Sequence, residues 1–287
     1  MNRIPESELI LNSDGSVYHL HLRPEDIADT IILVGDPDRV PMVSRHFDSI
    51  IFQTQKREFV THTGFVGKKK LSVLSTGIGT DNIDIVLTEL DALVNVDFAT
   101  RIARPQHTEL SLIRIGTSGC LQPDIPIDSI VASEFGLGFD NLLHYYHWNN
   151  NEIEADLSQH LPNFADIVRP YIAQGSTSLI EKIAQQDIYR GITATCSGFY
   201  GPQGRQVRLR PRIEGFLDQL RDWRHEQHRI TNFEMETSGI YGMARLLGHQ
   251  ALSTNAIVAQ RARQQFSSNP TKTIENLIQT VLQRLTS

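Results

Sequence analysis

The sequence predicts an α/β fold, and three observations carry the prediction. Short apolar runs alternate along the chain with helical patterns, the order in which α/β domains are built. Three of those runs, Ile31 to Val34, Leu71 to Ser75 and Leu112 to Ile115, each stop at a glycine-bearing stretch. At 287 residues, 40% of them hydrophobic, the chain can bury a sizeable core without staples.

Ile31-Ile32-Leu33-Val34 reads as a buried strand broken by Gly35-Asp36-Pro37. Leu71 to Ser75 is a second strand, ended by Thr76-Gly77-Ile78-Gly79. A helix follows, with Ile83, Val86, Leu87, Leu90, Leu93 and Val94 at helical spacing and Thr80 or Asp81 as N-cap. Leu112 to Ile115 is a third strand, expected to end at Gly116-Thr117-Ser118-Gly119. Further strands are expected at Ile130 to Ser133, Ile192 to Cys196 and Leu252 to Val258. Between Leu137 and Gln186, rich in Asn, His and Gln, loops and at least one surface helix are expected. A helix from about Glu234 to Leu247 should stop at Gly248. The stripe Ile274, Leu277, Ile278, Val281, Leu282 and Leu285 marks a C-terminal helix.

Charge and cysteine usage narrow the function classes. With 27 Lys+Arg against 33 Asp+Glu the net charge is -6, which argues against nucleic-acid or anionic-membrane partners but permits a local basic pocket. Cys120 and Cys196 have no metal or redox spacing, which suggests a reducing compartment. Met1 to Gly15 lacks an apolar h-region, and no apolar run reaches the ~20 residues of a membrane span. A cytoplasmic enzyme or ligand-binding protein is expected.

Glycines after strands let backbone N–H groups approach an anion, although each could be a plain tight turn. No GxGxxG, P-loop, GxSxG or HExxH is present. Arg114 lies inside an apolar strand between Ile113 and Ile115. Buried there, its guanidinium needs a partner, either an acid of the fold or a bound anion. Arg39, four residues after Gly35, adds a second guanidinium beside a glycine turn. Two such forks suit phosphate oxygens. Asn232-Phe233-Glu234-Met235-Glu236 places two carboxylates at the start of a helix. They either answer the helix dipole or accept the hydrogens of a vicinal diol such as ribose. Phe199-Tyr200-Gly201-Pro202-Gln203-Gly204-Arg205 offers a ring face, an amide and a guanidinium. That suits a planar ring bearing carbonyls, or is only a Gly-Pro turn. His144, His147 and His160 lack the acids or cysteines of a metal set.

Seven blocks in order resemble the nucleoside phosphorylases of the hexamer/dimer-forming class, most of all those acting on uridine. They are Tyr18-His19-Leu20, Gly35 to Val40, Arg57-Glu58-Phe59, Ser75 to Gly79, Ile113 to Gly119, Phe199 to Arg205 and Glu234-Met235-Glu236. The likeness runs from Val17 to Leu285, leaving 1–16 as an N-terminal extension. It implies a single three-layer α/β domain, a central mixed twisted sheet flanked by helices. The implied reaction is reversible phosphorolysis, nucleoside plus phosphate giving base plus ribose 1-phosphate, with no organic cofactor.

By the same resemblance Gly35, Arg39, Arg114 and Thr117 hold phosphate, with Arg57 lent by a neighbouring subunit. Thr117, Met235 and Glu236 hold ribose, with the neighbour's His19 near its 5'-hydroxyl. Phe199, Gln203, Arg205 and Glu234 meet the base, and Arg261 assists through the same polar network. Arg114, Arg205, Gln203 and Arg261 would carry the catalysis. Such a site implies a homo-oligomer, a dimer or a hexamer of dimers. The segment Asp97 to Ser111 is longer than in compact bacterial members and leans toward a free dimer. Asn82 stands where some members have a serine ligand for an interface potassium ion, so whether a metal binds stays open. Purine-cleaving relatives protonate the purine with an aspartate after the last core strand. That window here, Ala256 to Arg263, holds no acid. Nucleosidases need no phosphate clamp, and a non-catalytic nucleoside-binding protein is the alternative outside enzymes.

Overall fold

Ile31 to Val34 are four consecutive apolar residues with no exposed surface, so both faces of their strand require cover. A computed structural model, describing residues 2–164 and 168–287, shows how the chain supplies it. The first half comprises β1 (Thr30–Val34), α1 (Arg39–Ser44), β2 (Ser49–Lys56), β3 (Phe59–Val66), β4 (Lys69–Ser75), α2 (Thr80–Asn95), β5 (Val96–Asp97), β6 (Ile102–Ala103), β7 (Ser111–Cys120) and β8 (Ile130–Gly138). Then come α3 (Glu152–Gln159), β9 (Tyr171–Gln174), α4 (Thr177–Ile183), β10 (Tyr189–Thr195), α5 (Phe216–Asp222), β11 (Arg224–His225), β12 (His228–Glu234), α6 (Thr237–Leu247), β13 (Gln250–Gln260), β14 (Gln265–Phe266) and α7 (Pro270–Thr286).

The fold is a single mixed α/β unit in three layers. Alternate side chains of a strand point to opposite faces. Ile31 and Leu33 accordingly join a core with Ile83, Leu87 and Leu90 of α2 and Ile240 and Met243 of α6. Ile32 and Val34 join the opposite core, with Val40 of α1, Leu179 and Ile183 of α4 and the α7 stripe. Each fully buried aliphatic side chain contributes ~1.5–3 kcal/mol by leaving water. Between the helical layers the main sheet runs β11-β12-β10-β8-β13-β7-β1-β4-β3-β2. β1 pairs parallel with β4 and β7, whereas β12 also turns antiparallel onto β7 through Asn232–Cys120 and Phe233–Gly119. The sheet thereby curls, and the ends of β7, β12 and β13 meet.

The third strand departs from expectation. β7 does not stop at Gly116 but runs to Cys120, paired with β13 along its length with one register shift at Val258. Gly116 serves space rather than a turn: a Cβ there would lie 1.7 Å from Arg114 Nη1. The helix expected from Glu234 starts at Thr237, because Glu234 closes β12. α2 starts at Thr80 with Gly79, at φ 97°, as its N-cap residue. Gly248, at φ 78°, ends α6 as expected. The stretch 137–186 holds the end of β8, α3, β9 and α4. Residues 165–167 within it lie outside the described residues.

Residues 2–16 pack against the segment after α2. Leu9 meets Ala92 and Val96. The buried Arg101 donates to the carbonyls of Ile4 (2.9 Å), Pro5 (3.0 Å) and Leu9. Among the described residues no helix is long and apolar enough to cross a membrane.

Candidate active site

The strand ends enclose a cavity of about 680 Å³. Gly35, Arg39, Arg114, Thr117, Phe199, Gln203 and Arg205 line it together. Glu234, Met235 and Glu236 line it too, and both acids contact Arg114. Glu58, Asn82 and Phe266 also reach it. Sequence reasoning gave Glu58 and Phe266 no binding role, although Glu58 sits inside a quoted block, and Asn82 entered only through the open question of an interface ion. Phe266 is 68% exposed, a large ring left at a cavity mouth, and its place follows from the β13–β14 pairing. A larger, mainly apolar cavity of about 1010 Å³ lies beneath residues 207–213 and shares Arg205. It lacks converging acids.

Arg114 has its partners in the fold. Nη2 contacts Glu236 Oε2 at 2.5 Å and Glu234 Oε2 at 3.2 Å, and Nη1 donates to Asn255 Oδ1 at 2.9 Å. Burial opposes its charge, but the two carboxylates outweigh burial and hold its pKa above the ordinary arginine value. Arg39 differs. Burial, and then the like charge of Arg114, push its pKa down. Its guanidinium donates to Ile115 O at 3.2 Å, leaving donors of the fork for an anion.

The two acids take different partners in the fold. Glu234 accepts the Thr195 hydroxyl (2.8 Å) and the Glu236 (2.9 Å) and Thr237 (3.0 Å) amides, so it caps α6. Glu236 accepts the Gly79 amide at 2.8 Å through Oε1 and Arg114 through Oε2. Burial raises its pKa, Arg114 opposes that, and Glu234 adds to it.

Arg205 stacks 3.7 Å from the Phe199 ring centroid. Its Nη1 donates to Phe199 O (2.6 Å) and to Gln203 Oε1 (2.5 Å). Burial and then Arg261 lower its pKa to about 10, so it stays charged at neutral pH. Gln203 is buried in the turn that Gly204, at φ 63°, completes.

Three expected residues do not line this cavity. Arg261 lies just behind it, with Nη1 3.5 Å from Gln203 O. Arg57 and His19 lie together elsewhere. The Tyr18 ring contacts the His19 ring edge-on at 4.8 Å, with the Arg57 guanidinium 5.9 Å away. Arg57, at φ 54°, turns the chain between β2 and β3, so its neighbour Glu58 faces the cavity. Asn82 Nδ2 lies 3.4 Å from both Glu58 Oε1 and Ile78 O, an amide donor between two oxygens.

Residues 29–286 match the phosphorylase superfamily, and the chain belongs to that family. The uridine phosphorylase of Thermococcus kodakarensis is 30% identical, covering 88% of this chain and 80% of that protein. A DeoD-type purine nucleoside phosphorylase of Buchnera aphidicola is 25% identical over 88% of this chain and 92% of its own. Among solved structures, a Trypanosoma brucei nucleoside phosphorylase described as showing uridine phosphorylase activity superimposes with a TM-score of 0.87. It is 26% identical, over 97% of this chain and 99% of that one.

Proposed function

We propose that the chain catalyses the reversible phosphorolysis of uridine to uracil and ribose 1-phosphate. The observation that carries this reading is one cavity lined by the guanidiniums of Arg39 and Arg114, by Glu236 and by the Phe199–Gln203–Arg205 cluster. Relatives named uridine phosphorylase support it.

Phosphate, held by Arg39, Arg114, Thr117 and the Gly35 turn, attacks C1' as the bond from C1' to N1 breaks. The electron pair of that bond leaves on the uracil ring, and the hydrogen of the attacking hydrogenphosphate ends on uracil N1, giving neutral uracil and the ribose 1-phosphate dianion. Gln203 and Arg205, backed by Arg261, bond the carbonyl edge where that charge settles. Glu236 and Met235 fix the ribose. Each preorganised donor at a developing charge is worth ~3–4 kcal/mol, and orientation adds to it. No organic cofactor or metal is needed in this scheme. Burial of both free cysteines accords with a reducing cytoplasm.

A purine substrate requires an acid beside N7. The β13 residues at the cavity, Val258 and Ala259, are apolar. The test compares kcat/KM for uridine and inosine at saturating phosphate. The expected result is a preference for uridine of more than ~100-fold, since the unpaired base edge costs ~1–3 kcal/mol per group. Equal or better turnover of inosine contradicts the assignment. In the same assay Gln203→Ala should raise the uridine KM ~10-fold or more and change the phosphate KM less than ~2-fold, as its side chain pairs with Arg205 and not with Arg39 or Arg114. A rise confined to phosphate would reverse the two roles.

The active unit is a homo-oligomer in which Arg57 and His19 complete a neighbour's site. In support, the two side chains share the Tyr18 patch outside the cavity of their own chain.

A further inference from the structure

Glu89, in the middle of α2, turns its carboxylate away from solvent toward residues 19–20, seventy positions earlier. The carboxylate side chain is 10% exposed and accepts three donors. Oε1 takes the His19 amide at 2.9 Å and lies 2.6 Å from His19 Nδ1, and Oε2 takes the Leu20 amide at 2.8 Å. A carboxylate this buried must be fully bonded, and it reaches that state by seizing the His19 ring. An ionised carboxylate only accepts, so Nδ1 facing it carries a hydrogen. In the uncharged imidazole Nε2 then keeps a lone pair. The ring is 27% exposed, and Nε2 has no hydrogen-bond partner among the described residues. The Tyr18 ring holds it edge-on, and Lys56 Nζ fixes that turn by donating to Tyr18 O at 2.5 Å.

We propose that Glu89 is a positioning residue that locks His19 as an acceptor, and that this makes the site select nucleosides carrying a 5'-hydroxyl. This rests on reading His19 as lent to the neighbour's ribose. An acceptor at that point takes the hydroxyl's hydrogen, and a 5'-deoxy or 5'-phosphorylated ribose offers none in its place. In Glu89→Gln the amide presents a donor to either Leu20 N–H or Nδ1, so the lock on the tautomer is lost while side-chain volume is kept.

Two measurements separate the inference from the reading beneath it. ¹⁵N chemical shifts of the His19 ring, taken without substrate, should show the Nδ1–H tautomer in the native protein and a mixed or Nε2–H ring in Glu89→Gln. The Nε2–H tautomer in the native protein overturns the proposal whether or not uridine is cleaved. The second compares kcat/KM for uridine and 5'-deoxyuridine. The native ratio should be ~10-fold, the worth of one hydrogen bond, and fall below ~3-fold in Glu89→Gln through loss of uridine turnover alone. An equal fall for both nucleosides with a lowered Tm means Glu89 is only structural, which refutes the proposal. If uridine is not cleaved at all, the functional reading fails and the ¹⁵N result still decides the role of Glu89.

Discussion

Arg114→Ala should lower kcat/KM for phosphate by about 1000-fold or more, the largest single effect expected in this protein. Arg114 is buried between Glu234 and Glu236 and faces Arg39 across the site. With both guanidiniums present, the four side chains carry no net formal charge, and a phosphate anion can enter. Without Arg114 they carry one net negative charge in a desolvated cavity, and the anion is repelled. One preorganised donor is worth a factor of ~100–1000 in rate, and a charged one stands at the upper end. Stability falls too, since removing one member of a buried ionic cluster costs ~3–5 kcal/mol. The measurement is the initial rate against phosphate concentration, with Tm recorded alongside. The variant should fail to saturate at phosphate levels that saturate the native protein while still melting cooperatively. An unchanged phosphate KM would remove Arg114 from the phosphate site.

The second large effect is recovery of activity from two dead proteins. If Arg57 serves a neighbour's site while Arg114 serves its own, Arg57→Ala and Arg114→Ala homodimers each lack one clamp residue in every site. In a mixed dimer the subunit carrying Arg57→Ala keeps its Arg114 and borrows a normal Arg57. That site is whole. Random exchange at equal amounts makes about half the dimers mixed, each with one whole site of two. About a quarter of native activity should return, read as turnover after exchange. Exchange confirmed by mass spectrometry of tagged subunits with no recovered turnover would show that the site is not shared.

The parts of this fold that were legible in the sequence are those where burial is decided locally. The α7 stripe from Leu277 to Leu285 and the α2 stripe from Ile83 to Leu93 are periodic because one face of each helix meets the sheet. β1 is legible because both its faces are covered. Other features depend on partners distant in sequence. Gly116 to Gly119 look like a turn, yet they continue β7 because the Arg114 guanidinium crosses Gly116 and the Phe233 ring crosses Gly119. β2 lies at the edge of the sheet, with its first three residues, Ser49 to Ile51, exposed and none of its residues fully buried, so no apolar run marks a buried face. Arg114 could be read as needing a partner, but not that Glu234 and Glu236 would both supply it. Glu89 gave no signal at all, being one acid in an amphipathic helix until the fold brings His19 to it.

In the proposed reaction phosphate, not water, breaks the glycosidic bond, and the base is a pyrimidine. The most direct measurement is ³¹P NMR of the purified protein with uridine and phosphate, alongside detection of free uracil. Ribose 1-phosphate and uracil should appear in equal amounts, and without phosphate uridine should remain intact. Free ribose released from uridine in the absence of phosphate would make water the nucleophile and contradict the account.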